Sequence, residues 1–409
     1  MPKDWNRVRL GDYTTVKARL GWKGLMAHEY LEDGFIFLAT PNLKGHQIDF
    51  DNVNYISKWR YEESPEIQLR EHDVLIVKDG STLGTSNFVR HLPRPATVNG
   101  SIAVVRVNGS LHPEFLYHFV NGEEFQRLIV EKKSGLGVPH LFQADLREFP
   151  VSLPPLEEQR CIAEILSTVD RAIEQTEALI AKQQRIKTGL MQDILTRGID
   201  EQGNLRSEET HQFKDSPLGR IPVEWDVVSV KDIAKIVTGG KDTQDRDDAA
   251  PYPFFVRSQI VERISSYSFD GEAVLTAGDG VGTGKVFHYI NSKFDFHQRV
   301  YCMHSFSDDM DGYFFFQYFR AHFMARVAQF SAKGSVDSLR MAMIADMLLP
   351  KPKETEQTRS AQILRKAETL ESDYRVQLDK LRSLKTALMQ DLLTGEKRVT
   401  PLLGPAVTT

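Results

Sequence analysis

Cysteine is nearly absent: Cys161 and Cys302 are the two in 409 residues, and they fall in different halves. That excludes a cysteine-rich zinc site or a disulfide framework and suits a reducing cytoplasm. No run approaches the roughly eighteen apolar residues needed to cross a bilayer, so no membrane span is expected. The opening Met-Pro-Lys-Asp-Trp lacks an apolar core and does not read as a signal peptide. No Gly-x-Ser-x-Gly occurs, and no His/Asp/Glu group has metal-ligand spacing. Basic charge is not in excess either: 51 Lys and Arg against 56 Asp and Glu leave −5 at pH 7. This argues mildly against a nucleic-acid binder without excluding one, because phosphate contact depends on a local basic face.

What the chain does have is a repeat. Residues 186–196 read Ile-Lys-Thr-Gly-Leu-Met-Gln-Asp-Ile-Leu-Thr, and residues 384–394, 198 positions on, read Leu-Lys-Thr-Ala-Leu-Met-Gln-Asp-Leu-Leu-Thr. A fixed period of about half the length sets the architecture. The length itself suits two or three domains, and 41% hydrophobic with 26% charged residues is ordinary for a soluble globular protein.

Taken in order, residues 1–152 read as a mixed α/β globule. Phe35–Thr40, Asp73–Val77 and Ile102–Val107 have strand character. Lys78-Asp-Gly-Ser-Thr-Leu-Gly is a turn-rich loop, residues 113–130 have aromatic helical spacing, and Ser134-Gly-Leu-Gly-Val-Pro is a returning loop. Residues 153–197 read as a long helix that Pro155 opens and Gly198 stops. A polar linker, 198–221, leads to a second globule, 222–350, where Trp225 answers Trp5 and Gly278-Asp-Gly answers Lys78-Asp-Gly. A second long helix, 351–395, and a tail, 396–409, expected to fray, complete the chain.

The helices carry rows with spacings of three and four, the signature of a heptad seam. They are Val169, Ala172, Thr176, Leu179, Gln183, Ile186 and Leu190, then Ala367, Leu370, Tyr374, Gln377, Leu381, Leu384 and Leu388. About forty residues make a rod of roughly 60 Å, which needs a partner along its length. The helix copies share residue types throughout; the globule copies share only a skeleton.

The catalytic motifs fail one by one. Gly278-Asp-Gly-Val-Gly-Thr-Gly-Lys285 has the wrong spacing for a phosphate-cradling loop, and Val286 follows where Ser or Thr is required. It reads better as a small-residue loop bringing backbone N–H groups and Lys285 to a polyanion, or as a plain tight turn. Pro154-Pro155 lacks the polar and aromatic flanks of an amino-methyltransferase motif. Glu131-Lys-Lys133 lacks an aspartate partner for a nuclease site.

Polar and basic residues do gather near the loops of both globules. The first has Lys78, Ser81, Thr82, Arg90, Arg94, Asn99, Ser101, Lys132 and Lys133; the second has Arg257, Ser258, Gln259, Lys285, His297, Gln298, Arg299, Lys333 and Ser335. Arg, Asn and Gln suit base edges, while Lys and Ser more often hold phosphates. Singly each reads as a surface residue; as groups they fit a nucleic-acid face.

The arrangement resembles the specificity subunit of type I restriction–modification systems. The resemblance spans nearly the whole chain. It rests on Leu-Pro-Pro-Leu-Glu-Glu-Gln (153–159) opening the first long helix and Leu-Met-Gln-Asp-Ile-Leu-Thr closing it. The linker 203–225 and the weaker second opening, Leu349-Pro-Lys-Pro-Lys-Glu-Thr-Glu-Gln357, add to it. The resemblance implies two target recognition domains, each reading half of an asymmetric split site on double-stranded DNA, joined by two antiparallel helices in a coiled-coil spacer. It implies no active site and no cofactor on this chain. Two modification subunits would bring S-adenosylmethionine for adenine methylation, and restriction subunits would bring ATP, Mg and cleavage. The shared surface for the modification subunits is expected near Lys187, Lys385, Gln192 and Gln390, off the seam or at its margin. The alternative is a protein–protein scaffold with two variable globules on a coiled-coil rod.

Overall fold

The structure is a computed structural model that describes residues 2–19, 25–43, 45, 47–133, 140–280, 282–329 and 338–403. The returning loop expected at Ser134–Pro139 lies outside the described residues. The chain divides into two compact units, Met1–Leu179 with Arg375–Thr409, and Ile180–Tyr374. The mixed α/β class and the two globules on long helices are as the sequence led us to expect.

In the first unit, Val74–Val77 is flanked by Ile102–Val107 and Ser86–Phe88; Thr14–Lys17 lies outside Ile102–Val107, and every pairing is antiparallel. Phe35–Leu38 pairs with Asn54–Ile56 antiparallel and with Ala96–Val98 parallel. Val74–Val77 is buried on both faces because side chains alternate along a strand. Val74 and Ile76 enter a core built by the aromatic helix Pro113–Val120, with Phe115 and Phe119. Leu75 and Val77 enter the other, with Ile36, Leu38 and Val98.

The second unit has the same strand order in one six-stranded sheet: Lys235–Thr238, Val300–His304, Phe269–Ala277, Phe287–Phe296, Tyr252–Phe255 and Glu262–Ile264. Its ten-residue Phe287–Phe296 occupies the place of two short strands in the first unit, Ser86–Phe88 and Ala96–Val98. Pro93 and Pro95 lie between those two; proline supplies no N–H to a ladder, so one strand becomes two. The aromatic helix here is Gly312–Ala328, with Phe314, Phe315, Phe319 and Phe323 fully buried.

The long helices run Leu156–Thr196 and Glu354–Thr394. Each begins in one unit and ends in the other, so each unit holds the first part of one helix against the last part of the other. These parts run antiparallel: in the first unit Lys385 meets Asp170 at 2.6 Å and Arg382 meets Glu177 at 2.7 Å. In the second, Lys187 meets Glu371 at 2.5 Å and Gln183 donates to the Ala367 carbonyl.

The least exposed rows, buried or half-buried, correct half of the expected seam. They follow Ile162, Leu166, Val169, Ile173, Thr176, Ile180, Gln183, Lys187, Leu190 and Ile194, and in the second helix Ser360, Leu364, Ala367, Glu371, Tyr374, Leu378, Leu381, Lys385, Leu388 and Leu392. Val169, Thr176, Gln183, Leu190, Ala367, Tyr374, Leu381 and Leu388 fall in these rows as expected. The alternate positions lie one residue on from the expected ones. Leu179, Ile186, Leu370 and Leu384 are each at least 40% exposed, Gln377 is exposed and Ala172 is half-buried. The apolar character of Leu179 and Ile186 pointed to a register that the seam rejects, because it admits Lys187 and Lys385 opposite carboxylates. These lysines therefore bind the helices to each other, whereas Gln192 and Gln390 are exposed.

Both helix starts are fixed alike. Gln159 donates to the Ser110 and Pro154 carbonyls and accepts from the His112 N–H; Gln357 donates to Asp309 and Pro352 and accepts from the Asp311 N–H. The preceding Glu158 accepts from Trp5 Nε1 at 3.1 Å and from Arg398 Nε at 2.7 Å. Glu356 accepts from Trp225 Nε1 at 3.2 Å and from Arg206 Nη2 at 3.0 Å. The tail thus does not fray at its start: Arg398 is tied to Glu158 and Asp4, and Val399 is buried.

Candidate nucleic-acid interface

The loops expected to meet DNA stand on one backbone frame, built twice. In the first unit Lys78 N–H donates to the Ser101 carbonyl at 2.8 Å, Leu141 N–H to Lys78 at 2.9 Å, and Asn99 N–H to Leu38 at 2.9 Å. In the second, Gly278 N–H donates to Arg299 at 2.8 Å, Leu339 N–H to Gly278 at 2.7 Å, and His297 N–H to Phe255 at 2.9 Å. The bonds match one for one. The loops after them turn on glycines at positive φ, Gly80 and Gly84 in one copy and Gly280 and Gly284 in the other. The side chains on the frame differ: Lys78, Asn99 and Ser101 in the first, Gly278, His297 and Arg299 in the second.

Around the first frame, Ser81 and Thr82 are exposed at the loop tip, and Asn99 Oδ1 accepts from the Ser101 N–H. Lys78 is largely buried and pairs with Asp79 at 3.0 Å. Asp79 also meets His140, whose ring packs against exposed Phe142. His140 and Phe142 were missed in the sequence; no local pattern sets them apart from other loop residues, and only the pairing of Asp79 with His140 brings them in.

Arg90 and Arg94 are not part of this group. Phe88 pairs with Val74, so Arg90 follows at the end of strand Val74–Val77 opposite to Lys78, against the Phe88 and Tyr117 rings. Arg94 precedes strand Ala96–Val98, at the end away from Asn99, and pairs with Asp33. Two residues so near Asn99 in sequence are separated because a strand lies between. Lys132 and Lys133 close helix Glu123–Lys133, and their side chains lie outside the description, as do Lys333 and Ser335 altogether.

Around the second frame two of the expected residues, Arg257 and Arg299, do converge. Arg257 and Arg299 both donate to Asp279, at 2.9 and 2.7 Å. Burial pushes the Asp279 carboxyl up, but the two guanidinium hydrogen bonds outweigh it and hold it below the usual carboxylate range. Lys285 is exposed, Gln298 donates to Asp242 at 2.9 Å, Gln259 reaches the Phe287 carbonyl at 3.4 Å, and the Ser258 hydroxyl accepts from the Ile260 N–H. His297 is the exception. Its ring is buried and its Nδ1 accepts from the Arg299 N–H, so it shapes the turn rather than facing outward. Burial also lowers its pKa, which keeps the ring neutral and able to accept.

A family model described as the type I restriction modification DNA specificity domain matches residues 2–183 and 222–378, a globule and the opening of a long helix each time. The chain belongs to this family. Among its relatives, the type I restriction enzyme MjaVIII specificity subunit of Methanocaldococcus jannaschii is 25% identical over 98% of this chain and 94% of its own length. The EcoKI specificity subunit of Escherichia coli K12 is 21% identical over 49% of this chain and 43% of its own. The fold is shared with the S subunit of the type I restriction–modification system from M. genitalium, with TM-score 0.66 at 12% identity, covering 95% and 96% of the two chains. A chain from the structural work on assembly and conformational transition of the type I R-M system matches with TM-score 0.52 at 17% identity over 97% and 99%. Specificity subunits of this family are recognition subunits without catalysis.

Proposed function

We propose that the chain is the DNA-recognition subunit of a type I restriction–modification complex and that each globule reads one half of a bipartite, asymmetric site. One observation carries the reading: a single hydrogen-bonded frame, present in both units, holds different side chains at equivalent positions. A repeat that only bridged two equal proteins has no need of unequal loops on equal frames. Unequal half-sites do need them, since base edges are read by individual side chains while the scaffold serves any sequence.

The helices, alike in both copies, serve the partners. Two modification subunits dock on them and bring S-adenosylmethionine for adenine methylation; restriction subunits bring ATP, Mg and cleavage. The complex works in the cytoplasm, where its DNA lies. Among the described residues no helix is long and apolar enough to cross a membrane.

The test is an exchange. Residues 1–152 are replaced by another recognition domain, the chain is expressed with its modification subunits, and the methylated genomic motif is sequenced. One half of the motif should change and the other stay. A change in both halves, or methylation independent of this chain, refutes the reading.

A further inference from the structure

Asp279 puts a negative charge among residues expected to meet a polyanion, and its place is built rather than incidental. Arg257 follows strand Tyr252–Phe255, Asp279 follows Phe269–Ala277, and Arg299 precedes Val300–His304. The frame bonds from His297 N–H to the Phe255 carbonyl and from Gly278 N–H to the Arg299 carbonyl bring these three together. Each arginine gives one Nη1 donor to the carboxylate; the arginine side chains stay 44% and 62% exposed while that of Asp279 is 17% exposed.

A guanidinium has five N–H donors, so each arginine keeps donors that face outward. An unheld surface arginine loses much rotamer freedom on binding, and one fixed beforehand loses less. A phosphate contact gains little from this, because it accepts a cation from many directions and the nearby carboxylate repels it. A base edge differs. It is uncharged overall, and it requires two coplanar donors in one place, which a fixed guanidinium supplies and an ammonium does not. In the major groove, guanine O6 and N7 are the acceptor pair that matches.

We infer that Arg257 and Arg299, held by Asp279, read guanine in the half-site of the second globule, with Asp279 as their positioning residue. This rests on the reading of that globule as a base-reading module. The first globule lacks the arrangement: Ser101 stands at the frame position of Arg299, Thr40 follows Leu38 as Arg257 follows Phe255, and Asp79 holds Lys78 and His140 instead. The guanine assignment therefore belongs to one half-site.

The test uses the complex of the full chain with its modification subunits. Exchange of residues 222–350 first identifies the half-site of the second globule, and that half-site must contain guanine on one strand or the other. Methylation is then measured on duplexes with 7-deazaguanine, which lacks the N7 acceptor, at each of its guanines in turn. We expect a loss of about tenfold or more at one or two of them. Arg257→Lys, Arg299→Lys and Asp279→Asn should each relax the motif at a guanine of this half-site and leave the other half-site unchanged. A half-site of A·T pairs only, full activity on every 7-deazaguanine duplex, or lysine variants with the native motif overturns the inference. In each of those cases the exchange still moves the half-site, so base reading by the globule stands and only this assignment falls. The 7-deazaguanine arm needs no variant and decides the matter if a variant fails to assemble.

Discussion

Glu158 and Glu356 show how much can rest on one side chain. Each is a buried carboxylate that accepts from a tryptophan N–H and an arginine; removing Glu356 leaves Arg206 without this counter-charge, while Arg398 keeps Asp4 when Glu158 is removed. Breaking a buried pair so that one charge is uncompensated costs roughly 3–5 kcal/mol, expected in full for Glu356 and in part for Glu158. We expect Glu158→Ala to lower the urea midpoint accordingly, followed by the fluorescence of Trp5, and Glu356→Ala to do the same through Trp225. A change under about 1 kcal/mol for both contradicts the role assigned to them. Half of this was legible. Trp5 and Trp225 match in sequence, and the two glutamates stand in the matching helix openings. The arginines were hidden, because Arg206 and Arg398 are not at the repeat offset: the residues between Gly198 and Arg206 form a turn that the second copy lacks. Asp279 was hidden for another reason. An acid beside basic residues reads as dilution until the strands bring Arg257 and Arg299 onto it.

The long helices were the most legible elements, since periodicity, proline and glycine all mark them. Their register was half legible. Residues seven apart were placed correctly, but the choice between Leu179 and Ile180 cannot be made on hydrophobicity when both are apolar. The partner helix makes it. Ile180→Glu should cost roughly 3 kcal/mol or more, as a charge in a buried seam, whereas Leu179→Glu should stay within about 0.5 kcal/mol, as a surface change. Thermal unfolding of the two variants side by side reads this directly; equal losses contradict the seam drawn here. The strand order of the globules was not legible, because pairing depends on contacts far apart in sequence. The split of one long strand into two was written in Pro93 and Pro95, although only the other copy shows what was split.

For the whole molecule the controlling quantity is charge. A chain at −5 is a poor polyelectrolyte partner for DNA by itself, and its basic groups are local. We expect the isolated chain to bind duplex DNA weakly at physiological salt. The complex with modification subunits should bind more tightly, with a steeper fall of log affinity against log salt, because more phosphates are neutralised. Fluorescence anisotropy across a salt series measures both. The same slope and affinity for chain and complex contradict the view that partners supply basic surface.

The division of the chain also sets an order of events at the ribosome. The second unit is one continuous stretch and can close as soon as it is made. The first waits for the end: Glu158 meets Arg398, 240 residues later. At roughly 5–20 residues per second, that interval lasts about 12–48 s. Throughout it Glu158 lacks its guanidinium and the start of the first long helix lacks the partner residues 375–394. The half of the molecule that is synthesised first is the half that is finished last.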